Sequence, residues 1–118
     1  MENEREITML EKLRGGDDSA LAFFMRRYMD VLYYRALAIV HDRMAAEDIV
    51  QEAFIRFWDR RKELEGYVVP AYLTRLVHNA CINYLEYQEV RRRHSVPYRA
   101  YREQEAAWTT RDEEAIER

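Results

Sequence analysis

The sequence is poor in the residues that interrupt a chain, with three Gly and two Pro among its 118 positions. An all-β fold needs many turns, so this scarcity excludes most sheet architectures and points to a few long helices. Cysteine is scarcer still. A lone Cys81 cannot close an internal disulfide, which excludes a secreted disulfide scaffold and makes a reducing cytoplasm the expected setting. No apolar run approaches the roughly 20 residues that cross a bilayer. The opening MENEREITML carries acids where a signal peptide needs a basic flank, so neither membrane insertion nor export is expected. What remains fits one compact helical domain, with room for a tail beside it.

Net charge is low, −3, but it is unevenly spread. Residues 71–102 hold six Arg against two Glu, whereas residues 103–118 hold two Arg against six acids. A polyanion meets the local field and not the average, so an anion-binding surface is expected between Ala71 and Arg102. Helical spacing predicts a first helix over 4–14, with Ile7, Leu10 and Leu13 on one side and Gly15-Gly16 ending it. A second runs over 19–40 after the capping residues Asp17, Asp18 and Ser19, placing Leu21, Phe24, Tyr28, Leu32, Leu37 and Ile39 inward. Asp42 caps a third helix over 44–62. Its positions Ala46, Ile49, Val50, Ala53, Phe54, Phe57 and Trp58 follow the pattern of an amphipathic face. After a loop over 63–69, Pro70 sits where a first-turn proline belongs. A fourth helix then runs from 71 to about 93, with Leu73, Leu76, Val77, Ala80, Cys81, Tyr84 and Leu85 inward. The fold class is thus all-α, a compact bundle of about four helices over 1–95. An acidic linker follows over 96–118, where periodicity fades.

Catalytic signatures are scarce. Glu47, Asp48 and Glu52 crowd one helical face, yet no His completes a ligand set, so a solvated or partner-facing surface is the simpler reading. His78 and His94 are too far apart on one straight helix to share a metal. No phosphate-cradling glycine loop, nucleophile elbow or zinc spacing occurs. No enzyme, cofactor or metal site is expected.

Two blocks carry more information. The first is Glu47-Asp48-Ile49-Val50-Gln51-Glu52, closed by Phe54. The second, some twenty residues on, is Ala71-Tyr72-Leu73, Asn79 and Ile82-Asn83-Tyr84-Leu85, ending in Arg91-Arg92-Arg93. Together they resemble region 2 of the extracytoplasmic-function sigma factors, small bacterial initiation subunits of RNA polymerase. The likeness covers about residues 8–95, and the wording around His78-Asn79-Ala80-Cys81 is similar to members from Bacteroidetes-type bacteria.

The resemblance implies two surfaces. In that family the polar face of the third helix docks on the β′ clamp helices of core RNA polymerase, and the matching positions are Asp48, Gln51, Glu52, Ile55 and Arg56. An acidic, amide-bearing stripe with one outward Ile suits an arginine-rich coiled coil through charge-assisted hydrogen bonds. The fourth helix and its loop read the minus-ten promoter element on the non-template strand, extruding bases into a pocket formed by residues 64–69. Asn79 and Asn83 match the base-reading positions, since an amide offers a donor and an acceptor to a base edge. Tyr67 and Tyr72 are expected at the pocket entrance, each able to stack on an unpaired base. Arg75, His78 and the run Arg91, Arg92, Arg93 are expected to hold phosphates. Family members often carry an aromatic just before the fourth helix, where Val68-Val69-Pro70 stands here. An anti-sigma factor is a further partner the family admits. Its members also continue into a helix-turn-helix domain that reads the minus-thirty-five element. Nothing after Pro97 has the length or periodicity for that domain, so part of a longer chain is the expectation, with a naturally short protein as the alternative and 108–118 a candidate start for the next helix. The competing reading is a helical adaptor with no DNA role, which a helix-turn-helix beyond Arg118 would eliminate.

Overall fold

The computed structural model describes residues 2–94, with side chains for 4–93; the expected linker over 96–118 lies outside the described residues. Four helices follow in order: α1 (Glu2–Arg14), α2 (Asp18–Val40), α3 (Arg43–Asp59) and α4 (Val69–His94), with a single 3-10 turn at Arg61–Glu63. Among the described residues there is no strand, so the all-α expectation holds.

The joints follow from local chemistry. Gly16 takes φ +94, and the Gly16 N–H bonds Leu13 O at 2.9 Å while the Asp17 N–H bonds Lys12 O at 3.0 Å. This double closure ends α1 and needs a residue without a Cβ penalty at the left-handed position. Asp17 opens α2 at once, accepting from the Ser19 N–H at 2.9 Å and the Ser19 hydroxyl at 2.6 Å. Those hydrogen bonds hold its carboxyl below the usual carboxylate value. Only two residues join α2 to α3. His41 turns the chain at φ 54, its N–H closing on Leu37 O, and Asp42 caps α3 by accepting from the Ala45 N–H at 3.1 Å. So short a link keeps α2 and α3 in contact with each other, and α4 packs against both.

The core is aromatic at its centre. The Phe24 ring meets Phe23 and Phe57 edge to face, with centroids 5.1 and 5.5 Å apart, and Phe54 and Tyr72 close round Phe57. The expected inward face of α3 is buried apart from the half-exposed Trp58, against which Arg61 stacks at 4.2 Å. Three expectations are corrected. On α2 the fully buried stripe is Ala20, Phe23, Phe24, Leu32, Ala36 and Val40, while Leu21, Tyr28, Leu37 and Ile39 sit only at its margins. Ile7 of α1 and Leu85 of α4 are exposed, and Tyr87 takes the buried place at the end of α4. Finally, α3 stops at Asp59 and not at 62, because the Arg60 N–H is shared between Arg56 O and Trp58 O and the chain tightens into the 3-10 turn.

Candidate nucleic-acid interface

Between the 3-10 turn and α4 the chain has no regular structure, and its two ends are nailed into the core. Leu64 is 2% exposed and Val69 is 3% exposed. Gly66, at φ +78, lets the residues between them arch outward, and the Tyr67 N–H closes the bend on Leu64 O at 3.1 Å. Under the arch lies a pocket of about 500 Å³, lined by Glu65, Gly66, Tyr67 and Val68 and, from the first turns of α4, by Ala71, Tyr72 and Arg75. This volume exceeds that of a single nucleobase. Of the expected pocket segment 64–69, the two end residues are anchors and only the middle four form walls.

Tyr72 departs from its expected place. It is 3% exposed, with Phe57 at 6.2 Å and Tyr67 at 5.4 Å, so its ring belongs to the pocket floor and offers no open face at the entrance. The reason is register: Tyr72 precedes the buried Leu73 and stands one turn before the buried Leu76, inside the apolar stripe of α4. Tyr67, half-buried and edge-on to Tyr72, is the aromatic left at the rim.

From the pocket a polar stripe runs along α4. Arg75, His78, Asn79 and Asn83 recur at i, i+3, i+4 and i+8, which puts them on one face. Arg75 and His78 are exposed, Asn79 and Asn83 half-buried. Among the described residues neither amide has a hydrogen-bond partner, so the donor and acceptor of each stay available to a ligand. On another side of α4, Tyr84 reaches the N-cap of α3. The Tyr84 hydroxyl donates to Asp42 Oδ2 at 3.3 Å and accepts from Gln88 Nε2 at 2.5 Å. Burial is the main reason its pKa is raised.

The arginine run lies roughly 24 Å from Arg75 along the helix, at 1.5 Å per residue. All three side chains are exposed, but they are not equivalent. Arg92 and Arg93 both bond Glu89, at 2.7 and 3.0 Å, whereas Arg91 is in no ion pair among the described residues. Of the three arginines expected to hold phosphates, two are thus engaged with Glu89 and one has no ion pair among the described residues.

A second polar surface belongs to α3. Asp48, Gln51 and Ile55 are exposed on it, Ile55 by 60%, with Glu52 and Arg56 half-buried beside them and each partnered within the chain. Met44, 82% exposed, extends this stripe by one turn at i−4 from Asp48. Sequence reasoning passed over Met44, although its position opposite the apolar face of α3 is visible in the spacing.

A smaller cavity of about 210 Å³ lies behind the arch, where Ile7 and Leu10 of α1 face Tyr67, Val68 and Pro70. Here α1 is held by Glu6, which accepts from the Tyr28 hydroxyl and pairs with Arg27 Nε at 3.1 Å. Burial first, and then this bond to Glu6, pushes the Tyr28 pKa up to about 12. Arg14 of α1 also reaches Glu65 of the arch at 3.6 Å. Among the described residues no cluster of three His, Cys, Asp or Glu is placed to hold a metal ion, and no helix is long and apolar enough to cross a membrane. Cys81 is buried, which pushes its thiol up to about 11, away from the reactive thiolate.

The chain matches no curated protein and no solved structure. Residues 24–91, from the Phe24 core of α2 through α3, the arch and the polar stripe of α4, match Sigma-70 region 2. That match spans more than half of the sequence, and the chain belongs to this family of transcription initiation factors, which bind core RNA polymerase and promoter DNA.

Proposed function

We propose that this domain reads and helps to melt the minus-ten promoter element by capturing an extruded base of the non-template strand under the Glu65–Val68 arch. The observation that carries the proposal is the pocket itself, which shares Arg75 with the α4 stripe that continues through His78, Asn79 and Asn83. A base extruded from the stack costs a few kcal/mol. Stacking on Tyr67, worth about 1–3 kcal/mol, and an amide contact to the base edge offset that cost. Arg75 at the rim neutralises the phosphate that must follow the base, giving register without sequence information. In the same proposal the outer face of α3, from Met44 through Asp48, Gln51 and Glu52 to Ile55 and Arg56, docks on the β′ clamp helices. In this reading the domain works in the cytoplasm, and the likeness of its two motif blocks supports membership of the extracytoplasmic-function group.

The test is a titration of the chain with single-stranded oligonucleotides carrying a minus-ten-like sequence, each with one base replaced by an abasic site. One position is expected to lose about 1–3 kcal/mol, and Tyr67→Ala is expected to lose the same amount with no further loss when the two are combined. If every abasic site costs equally little, no base is captured and the pocket reading fails.

A further inference from the structure

Glu89 is the one acidic side chain set among the arginines that close α4, and its geometry is specific. Its Oε1 takes Arg92 Nη2 at 2.7 Å and Arg93 Nε at 3.0 Å, while its Oε2 takes Arg92 Nε at 3.3 Å. One carboxylate thus spans the fork of one guanidinium and touches a second, in the manner of a phosphate oxygen pair. The spacing makes the arrangement local: Arg92 and Arg93 stand at i+3 and i+4 from Glu89, and Glu before Arg is the favoured order on a helix. The pull is felt on both sides, since Arg92 holds the Glu89 carboxyl below its usual value and Glu89 raises the Arg92 guanidinium.

We propose that Glu89 is an intramolecular phosphate decoy that occupies Arg92 and Arg93 and so suppresses sequence-independent binding of nucleic acid by α4. The inference rests on the reading of α4 as the DNA-facing helix. Phosphates are the same at every site, so arginines that grip them hold the protein on any sequence. With Glu89 in place, residues 89–93 present three Arg and one Glu, and only Arg91 meets a passing phosphate without displacing a carboxylate. Base reading near Asn79 is then left with a larger share of the binding. The pairs are exposed, so they yield to a strand already docked by its base and engage again when it leaves.

The experiment compares the chain with Glu89→Gln, which keeps the length and helix propensity of the side chain while removing its charge. The ligands are single-stranded oligonucleotides that differ at one base, and inorganic polyphosphate. Glu89→Gln is expected to raise affinity for all oligonucleotides about three- to tenfold at about 50 mM salt, and to steepen the salt slope by up to about 1.4, two contacts at about 0.7 each. Polyphosphate should gain likewise, base discrimination should stay as it was, and Arg92→Ala with Arg93→Ala should abolish the gain. Circular dichroism checks that the helix is intact. An unchanged affinity and slope on both ligands overturns the decoy, as does a gain on polyphosphate alone, because the freed guanidiniums then never meet DNA. The parent reading fails differently: neither the parent chain nor the variant would discriminate between bases, whatever Glu89→Gln does to affinity.

Discussion

Replacing Asn79 by Ala separates reading from folding more cleanly than any other change on α4. Asn79 is half-buried and has no hydrogen-bond partner among the described residues, so its removal breaks no bond that stabilises the fold. Ala is the better helix former by a few tenths of a kcal/mol, which offsets the small loss of side-chain packing. The melting temperature should therefore move by no more than the equivalent of about 0.5 kcal/mol. Binding should respond quite differently. An amide that gives and receives one hydrogen bond at a base edge discriminates against the wrong base by about 1–3 kcal/mol, or roughly five- to 150-fold at one position. The assay is fluorescence anisotropy with a set of single-stranded oligonucleotides, each varied at one base, at two salt concentrations. The parent chain should prefer one base at one position, Asn79→Ala should flatten that preference, and the salt slope should stay unchanged because no phosphate contact is lost. Equal weakening on every oligonucleotide would refute the reasoning. So would a large drop in thermal stability, which would mean that the amide supports the arch backbone at Glu65 or Gly66.

Other parts of the structure give equally direct expectations. Changing Asp48 and Gln51 together to Ala should weaken binding to core polymerase in a pull-down while leaving the melting temperature nearly intact, because exposed polar positions contribute within about 0.5 kcal/mol to folding. His41→Gly should stabilise the domain by about 0.5–1 kcal/mol in thermal unfolding. Relief of a left-handed residue at φ 54 exceeds the entropy that a glycine adds to the unfolded chain. Asp42→Ala should cost about 1.5 kcal/mol, roughly 1 for the lost α3 cap and the rest for the Tyr84 contact, whereas Tyr84→Phe should spare the cap and cost about 0.5–1.5 kcal/mol for its bonds to Asp42 and Gln88. Arg91→Ala should weaken binding to every oligonucleotide alike, and by more than Arg92→Ala, since Glu89 already engages Arg92.

How much of this was legible depends on the local contrast between apolar and polar residues. On α3 the contrast is sharp, with Glu47, Asp48, Gln51 and Glu52 set against Ile49, Val50, Ala53 and Phe54, and the buried face follows directly. On α2 it is weak. Ala20-Leu21-Ala22-Phe23-Phe24-Met25 offers an apolar residue in every direction, so packing against α3 and α4 selects Phe23 and Ala36 where spacing favoured Leu21 and Leu37. Asp17, Asp42 and Gly16 announced their turns because capping chemistry is local. The arch was placed correctly along the chain, but not which of its residues face inward, because an irregular segment has no period to read. Tyr72 was misjudged for a related reason: a tyrosine serves rim or core equally well, and its helical phase with Leu73 and Leu76 decides. Glu89 stood in plain view at i+3 and i+4 from two arginines; counting the run by its positive charges alone concealed it.

The arch has a further consequence for how such a domain diversifies. Leu64 and Val69 carry the main attachment to the core, and Gly66 carries the bend, so Glu65 and Val68, which are exposed, and Tyr67, which packs only at the core's edge, owe the fold less than the anchors do. Those three positions form an exchangeable cassette. Swapping them for the residues of another specificity alters the shape and charge of the pocket while the aromatic centre around Phe57 stays untouched, so base preference is free to drift without passing through an unfolded intermediate sequence.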